Sequence, residues 1–185
     1  MADIRDRDGP VEYAFERFLQ GEQPDQTVRP AILRSWRRIQ AVAPAPEKLG
    51  FGDPIELDPD ALLIRVARPI MDRVQHIIAD ANAALILVDD QATLLLRYLS
   101  DPGMRRFFDK VRAVPGVGYS EAVLGTNATG TALREKRLFR VSAFEHPAPC
   151  VQPFAATGVP ILDPLTGQVR GVVSIVSPRS ARIWR

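Results

Sequence analysis

The sequence predicts an α+β fold: a central antiparallel sheet of five or six strands, helices on both of its faces, and extra N-terminal helices. Three observations carry this. Apolar residues recur at three- and four-residue steps as far as Asp80, then give way to short apolar runs. Two of those runs, residues 83–88 and 169–176, are mainly apolar at both odd and even positions, as strands covered on both faces require. Asp89-Asp90-Gln91-Ala92 and Asp163-Pro164-Leu165-Thr166-Gly167 separate neighbouring runs with residues suited to hairpin turns.

The elements follow in order. Residues 12–20 carry apolar groups at helical spacing and stop at Gly21, a common helix C-terminal residue. From Arg29, Ile32, Leu33, Trp36 and Ile39 form one stripe of a second helix, with Arg34, Arg37 and Arg38 largely off it. Pro44, Pro46, Pro54, Gly50 and Gly52 make residues 42–58 a surface loop. Asp58-Pro59 reads as N-cap and first turn of a long helix running to about Asp80, kinked at Pro69. Residues 83–88 and 93–99 form a hairpin, and residues 104–114 form a short helix ended by Pro115-Gly116-Val117-Gly118. Thr126 and Asn127 cap a helix to about Lys136, and residues 138–143, 154–162 and 169–177 are strands. This divides the chain into a helical extension and loop (1–58), a sheet domain (59–178) and the start of a linker helix (179–185), as in a piece cut from a longer protein.

Composition narrows the function. The chain has 185 residues, 46% of them hydrophobic, enough for one domain with a substantial core. Its 24 basic residues are nearly balanced by 22 acidic ones, a weak basis for binding nucleic acid directly. A single cysteine, Cys150, rules out an internal disulfide and a thiol-rich metal site, and His76 and His146 complete a sparse set of metal-binding side chains. The charged start and the lack of a long apolar stretch argue against secretion or membrane insertion, so the expected location is cytoplasmic.

The most informative stretch is residues 118–133, with Glu145-His146 a short strand later. In Gly125-Thr126-Asn127-Ala128-Thr129-Gly130-Thr131-Ala132, the small residues allow close approach to a sheet or ligand at some cost in helix stability. Taken with Arg29 through Ser35-Trp36 and Arg38, then Ser120-Glu121 and the closing pair of strands, the pattern over residues 29–177 resembles the N-terminal sensor of acetoin-catabolism-type, sigma-54-dependent transcription activators. That resemblance implies a GAF domain that binds a small molecule and is usually followed by an ATPase domain and a helix-turn-helix. Neither of those is present here, and no Gly-x-x-x-x-Gly-Lys-Ser/Thr motif occurs. The family often carries a cysteine just before the strand ending in Ala-Ala-Pro-Ile. Here Phe154-Ala-Ala-Thr-Gly-Val-Pro-Ile161 fills that strand and Cys150 lies earlier.

The leading expectation is a non-enzymatic regulatory domain that senses a small metabolite without a metal or cofactor and signals to an output domain elsewhere. The effector would meet Phe107, Tyr119, Glu121, Thr126, Asn127, Thr131, Phe139, Glu145, His146, Phe154 and Thr157. Phe108 belongs to the same aromatic set, most of which a core reading explains better than a pocket reading does. Partners would be the effector and a second copy of the chain, with no membrane and no direct DNA contact. Two rival readings remain: a ligand-free GAF dimerisation module, and a redox or haem sensor using Cys150 or His146.

Overall fold

The computed structural model describes residues 8–23, 26–41 and 45–179. Helices α1 (Asp8–Leu19) and α2 (Pro30–Gln40) lead into a loop and the long helix α3 (Leu62–Asp80). The hairpin β1 (Ala84–Asp89) and β2 (Leu94–Leu99) follows, then α4 (Pro102–Lys110), α5 (Glu121–Leu124) and α6 (Ala128–Glu135). Strands β3 (Phe139–Ser142), β4 (Phe154–Leu162) and β5 (Val169–Pro178) follow, and single 3-10 turns occur at Pro46–Lys48, within the expected loop, and at Ala143–Glu145.

The five strands form one sheet in the order β2-β1-β5-β4-β3, and every neighbouring pair is antiparallel. Its central strand is β5, flanked by β1 and β4, so the two runs that are mainly apolar at both parities lie side by side inside the sheet. One face of β1, with Ala84, Ile86 and Val88, packs into a core that includes Phe15, Phe18, Ile32 and Trp36 of the N-terminal helices. The opposite face, with Leu85 and Leu87, packs on Ile64, Ala67, Met71 and Ile78 of α3. The N-terminal helices therefore share a core with the sheet. Trp36 fixes them to each other, its ring centred 4.8 Å from Phe15 and 5.5 Å from Phe18.

Several local expectations shift. The long helix begins at Leu62, because Asp58 spends its carboxylate on the Asp60 amide and its carbonyl on the Ala61 amide in a preceding turn. As expected, Pro69 lies inside this helix, and it is exposed, so that water can meet the carbonyl its missing N–H leaves free. The α4 helix starts two residues early because the Asp101 side chain accepts from the Gly103 and Met104 amides. Arg179 is a bend, and the rest of the linker helix expected over 179–185 lies outside the described residues.

Candidate functional site

Asn127, not Thr126, caps α6. Its Oδ1 accepts from the Gly130 amide at 2.8 Å, while Nδ2 donates to the Tyr119 and Gly125 carbonyls at 2.9 Å each. This brings the helix start so close to the preceding loop that a Cβ on Gly130 would lie 2.2 Å from the Tyr119 carbonyl oxygen. On the sheet side, a Cβ on Gly158 would lie 2.4 Å from the Ala128 carbonyl oxygen, and Thr129 shares a 2.9 Å hydrogen bond with Ser174 of β5. Gly130 thus seats α6 against the loop before it, and Gly158 of β4 lets the start of α6 seat on the sheet.

Between that seat and α4 lies an apolar cavity of about 40 Å³. It is walled by Phe107, Phe108, Val111 and Ala113 on one side and by Ile86, Phe154, Ala156 and Val176 of the sheet on another. Phe51, Tyr119, Leu124, the first residues of α6, and His146, Cys150 and Val151 of the β3–β4 connection close it. The lining contains no arginine, lysine or carboxylate. A volume of this size admits a molecule of a few heavy atoms, not a haem macrocycle.

His146 is the distinctive polar group at this cavity. It is buried, and its Nδ1 lies 3.1 Å from the Thr126 carbonyl oxygen. A carbonyl only accepts, so Nδ1 carries the proton. Nε2 is buried without a hydrogen-bond partner among the described residues. Burial pushes the imidazole pKa down to about 4, partly opposed by the bond to Thr126, so the ring is neutral near pH 7. Cys150 borders the same space, and burial raises its thiol pKa, which keeps it protonated and poorly nucleophilic.

The predicted effector residues therefore divide. Phe107, Tyr119, Asn127, His146 and Phe154 meet around the cavity. Glu121, Thr126, Thr131, Phe139, Glu145 and Thr157 are outside its lining. Glu121 instead receives Arg38 through Nε at 3.1 Å and Nη2 at 2.9 Å, the Ser35 hydroxyl at 2.6 Å and the Thr131 hydroxyl at 2.8 Å. Since Ser35 has spent its proton on Glu121, Thr126 donates to Ser35 at 2.7 Å. Glu145 takes both Arg29 Nε and Nη2 at 2.8 Å, while its backbone carbonyl accepts from the Trp36 indole at 3.1 Å. Phe139 is buried in the core, and Thr157 lies on the strand face opposite Phe154 and Ala156. The expected effector set lacks Phe51, Val111, Ala113 and Val151, which come from loops or a helix end with no periodic signal, and Cys150, expected only as a redox candidate, also lines the cavity.

The sequence signature thus resolves into one structure: Arg29, Ser35, Trp36 and Arg38 dock α2 onto the Glu121, Thr126, Thr131 and Glu145 groups behind the cavity. Fold and signature together fit the GAF-type sensor domain of a transcriptional activator. The family described as "MimR, N-terminal domain" matches residues 10–182, and the chain belongs to it. It is a regulatory domain of transcriptional activators, not an enzyme.

The chain is 30% identical over 176 residues to the propane 2-monooxygenase operon transcriptional activator MimR of Mycolicibacterium goodii, covering 93% of this chain and 30% of that protein. The same figures hold for MimR of Mycolicibacterium smegmatis. An uncharacterised 47.3 kDa protein encoded in the thcA 5′ region of Rhodococcus erythropolis is 29% identical over 168 residues, covering 88% of this chain and 38% of its own length. The chain therefore spans about a third of the length of these relatives. Among solved structures, DhaR(N) from the Escherichia coli DhaR(N)–DhaL complex superimposes with a TM-score of 0.63 at 20% identity, covering 84% of this chain and 55% of that one. This supports the α+β fold. No helix among the described residues is long and apolar enough to cross a membrane.

Proposed function

We propose that this chain is the cytoplasmic, ligand-sensing domain of a bacterial transcriptional regulator, binding a small, uncharged and largely apolar metabolite and relaying its presence to an output domain. The observation that carries the reading is the apolar cavity bordered by the buried, half-satisfied His146. A purely structural core has little use for an imidazole with one nitrogen unpartnered. The operon named for the MimR relatives, concerned with oxidation of a three-carbon alkane, agrees with an effector of few atoms.

The test is a thermal-shift screen with small alcohols, ketones, aromatics and short carboxylic acids. A ligand at a hundred times its Kd stabilises by about 2.7 kcal/mol, which raises Tm by about 5–10 °C in a domain of this size. Ala156→Leu, which fills the cavity from β4, is expected to abolish the shift. If no compound stabilises the native chain, the dimerisation-module reading takes its place.

Signalling also needs a route outward and a partner helix. Pairing of Ala84 with Val176 brings the end of β5 next to the start of β1, so the chain leaves the sheet close to the C-terminal end of α3. On α3, Leu62, Val66, Ile70 and Ile77 are 57–75% exposed and recur at steps that keep them on one side of the helix. Both features favour a homodimer in which α3 stripes pack together, where a small shift between helices can transmit ligand state. Sedimentation is expected to report a dimer for the native chain and a folded monomer for Val66→Glu/Ile70→Glu. A native monomer at working concentration would remove this part of the proposal.

A further inference from the structure

Resting on that sensor reading, we infer that the effector carries a hydroxyl group that donates a hydrogen bond to His146 Nε2, making it a small uncharged alcohol or phenol. The Thr126 carbonyl, 3.1 Å away, fixes the proton on Nδ1, so in the neutral ring Nε2 has a lone pair and no proton. That lone pair is buried and no described protein group meets it. The Cys150 thiol, a weak donor bordering the same cavity, does not bond to it.

A ketone, an ether or a hydrocarbon fills space but brings no proton for Nε2. An anionic carboxylate would enter a lining without a single cationic side chain. A primary amine would arrive as a cation with no carboxylate to receive it. An amide would bring a large polar group to a wall whose Asn127 donors are already spent on the Tyr119 and Gly125 carbonyls. A hydroxyl attached to a short hydrocarbon body satisfies the acceptor and leaves apolar surface for Phe107, Phe154 and Ala156.

Matched pairs test this: 2-butanol against butanone, and cyclopentanol against cyclopentanone, titrated calorimetrically into the native chain. Each alcohol is expected to bind about tenfold tighter than its ketone, the scale of one buried acceptor satisfied or left bare. In His146→Leu and in His146→Gln the preference collapses to within about twofold. Nitrogen NMR of the free protein is expected to show a protonated Nδ1 and bare Nε2, with Nε2 moving on addition of alcohol and not of ketone. Ketones binding as well as alcohols, or a proton found on Nε2, would overturn the hydroxyl assignment while leaving the sensor reading in place. Failure of all four compounds to bind counts against both, and a thermal response to other compounds of the wider screen would then restore the sensor alone.

Discussion

Glu121→Ala is expected to destabilise the domain by about 2–4 kcal/mol, lowering Tm by about 5–15 °C. The carboxylate is mostly buried and accepts from three residues: the Arg38 guanidinium on both oxygens, and the Ser35 and Thr131 hydroxyls. Removing it takes the acceptor from the protons of two hydroxyls and from an arginine side chain that is only 29% exposed. Arg38 keeps Glu135 at 2.7 Å, which limits the loss and places the estimate below that for a fully buried pair. Glu121→Gln retains an acceptor oxygen and is expected to recover part of the stability. Because Glu121 is outside the cavity lining, the residual ligand response at a temperature where the variant is folded should keep its selectivity. A fully stable Glu121→Ala would show that the signature does not hold α2 in place.

Much of the fold was readable because its signals are local. The strand over 154–162 has the bounds expected, and Asp163 organises the following turn by accepting from the Leu165 and Thr166 amides. The two-sided burial of β1 follows from its almost uninterrupted apolar composition, whereas β5, interrupted by Arg170 and Ser174, is buried along Val172, Ser174 and Val176 and leaves Ile175 on its other face 48% exposed. Pairing order did not follow, since nothing local tells β5 to insert between β1 and β4. The site was readable in its aromatics and in His146, and less so in its polar residues. Polar side chains within a specific motif suggest ligand contacts, yet Glu121, Thr126, Thr131 and Glu145 are satisfied by partners on α2, 83–116 residues distant or within the motif itself. Only the three-dimensional arrangement shows that their hydrogen bonds are already used. Thr157 is different: it stands an odd number of positions from Phe154, and strand alternation alone puts the two on opposite faces.

His146 joins these two halves of the structure. Its Nδ1 binds the carbonyl of Thr126, whose hydroxyl donates to Ser35 of α2, so the cavity wall and the docked helix meet at one residue. A hydrogen bond to Nε2 therefore acts on a ring already tied to the signature network, which gives a ligand a physical means of favouring one packing of α2 over another.

The same buried ring makes stability depend on pH. An unfolded histidine titrates near 6.5, whereas burial holds His146 down to about 4 in the folded domain. As pH falls, the unfolded chain takes up this proton first, so stability contributed by the neutral ring is complete above about pH 6.5 and declines progressively toward about pH 4. A difference of that size amounts to about 3 kcal/mol across the interval. Glu135, which burial pushes up but Arg38, Arg34 and Arg137 together hold below the usual carboxylate range, adds a loss in the same direction at still lower pH. Denaturation in urea at pH 7 and pH 4.5 should thus show a marked loss for the native chain. His146→Leu should flatten the difference over that range while retaining the loss due to carboxylates below it. A saturating alcohol that hydrogen-bonds to Nε2 is expected to steepen the native dependence, because the bound ring must lose the hydrogen bond it accepts from the ligand before Nε2 can take a proton from solvent. An unchanged slope in His146→Leu would mean that the ring is already charged or exposed at neutral pH, against the geometry in which its Nε2 is enclosed and bare.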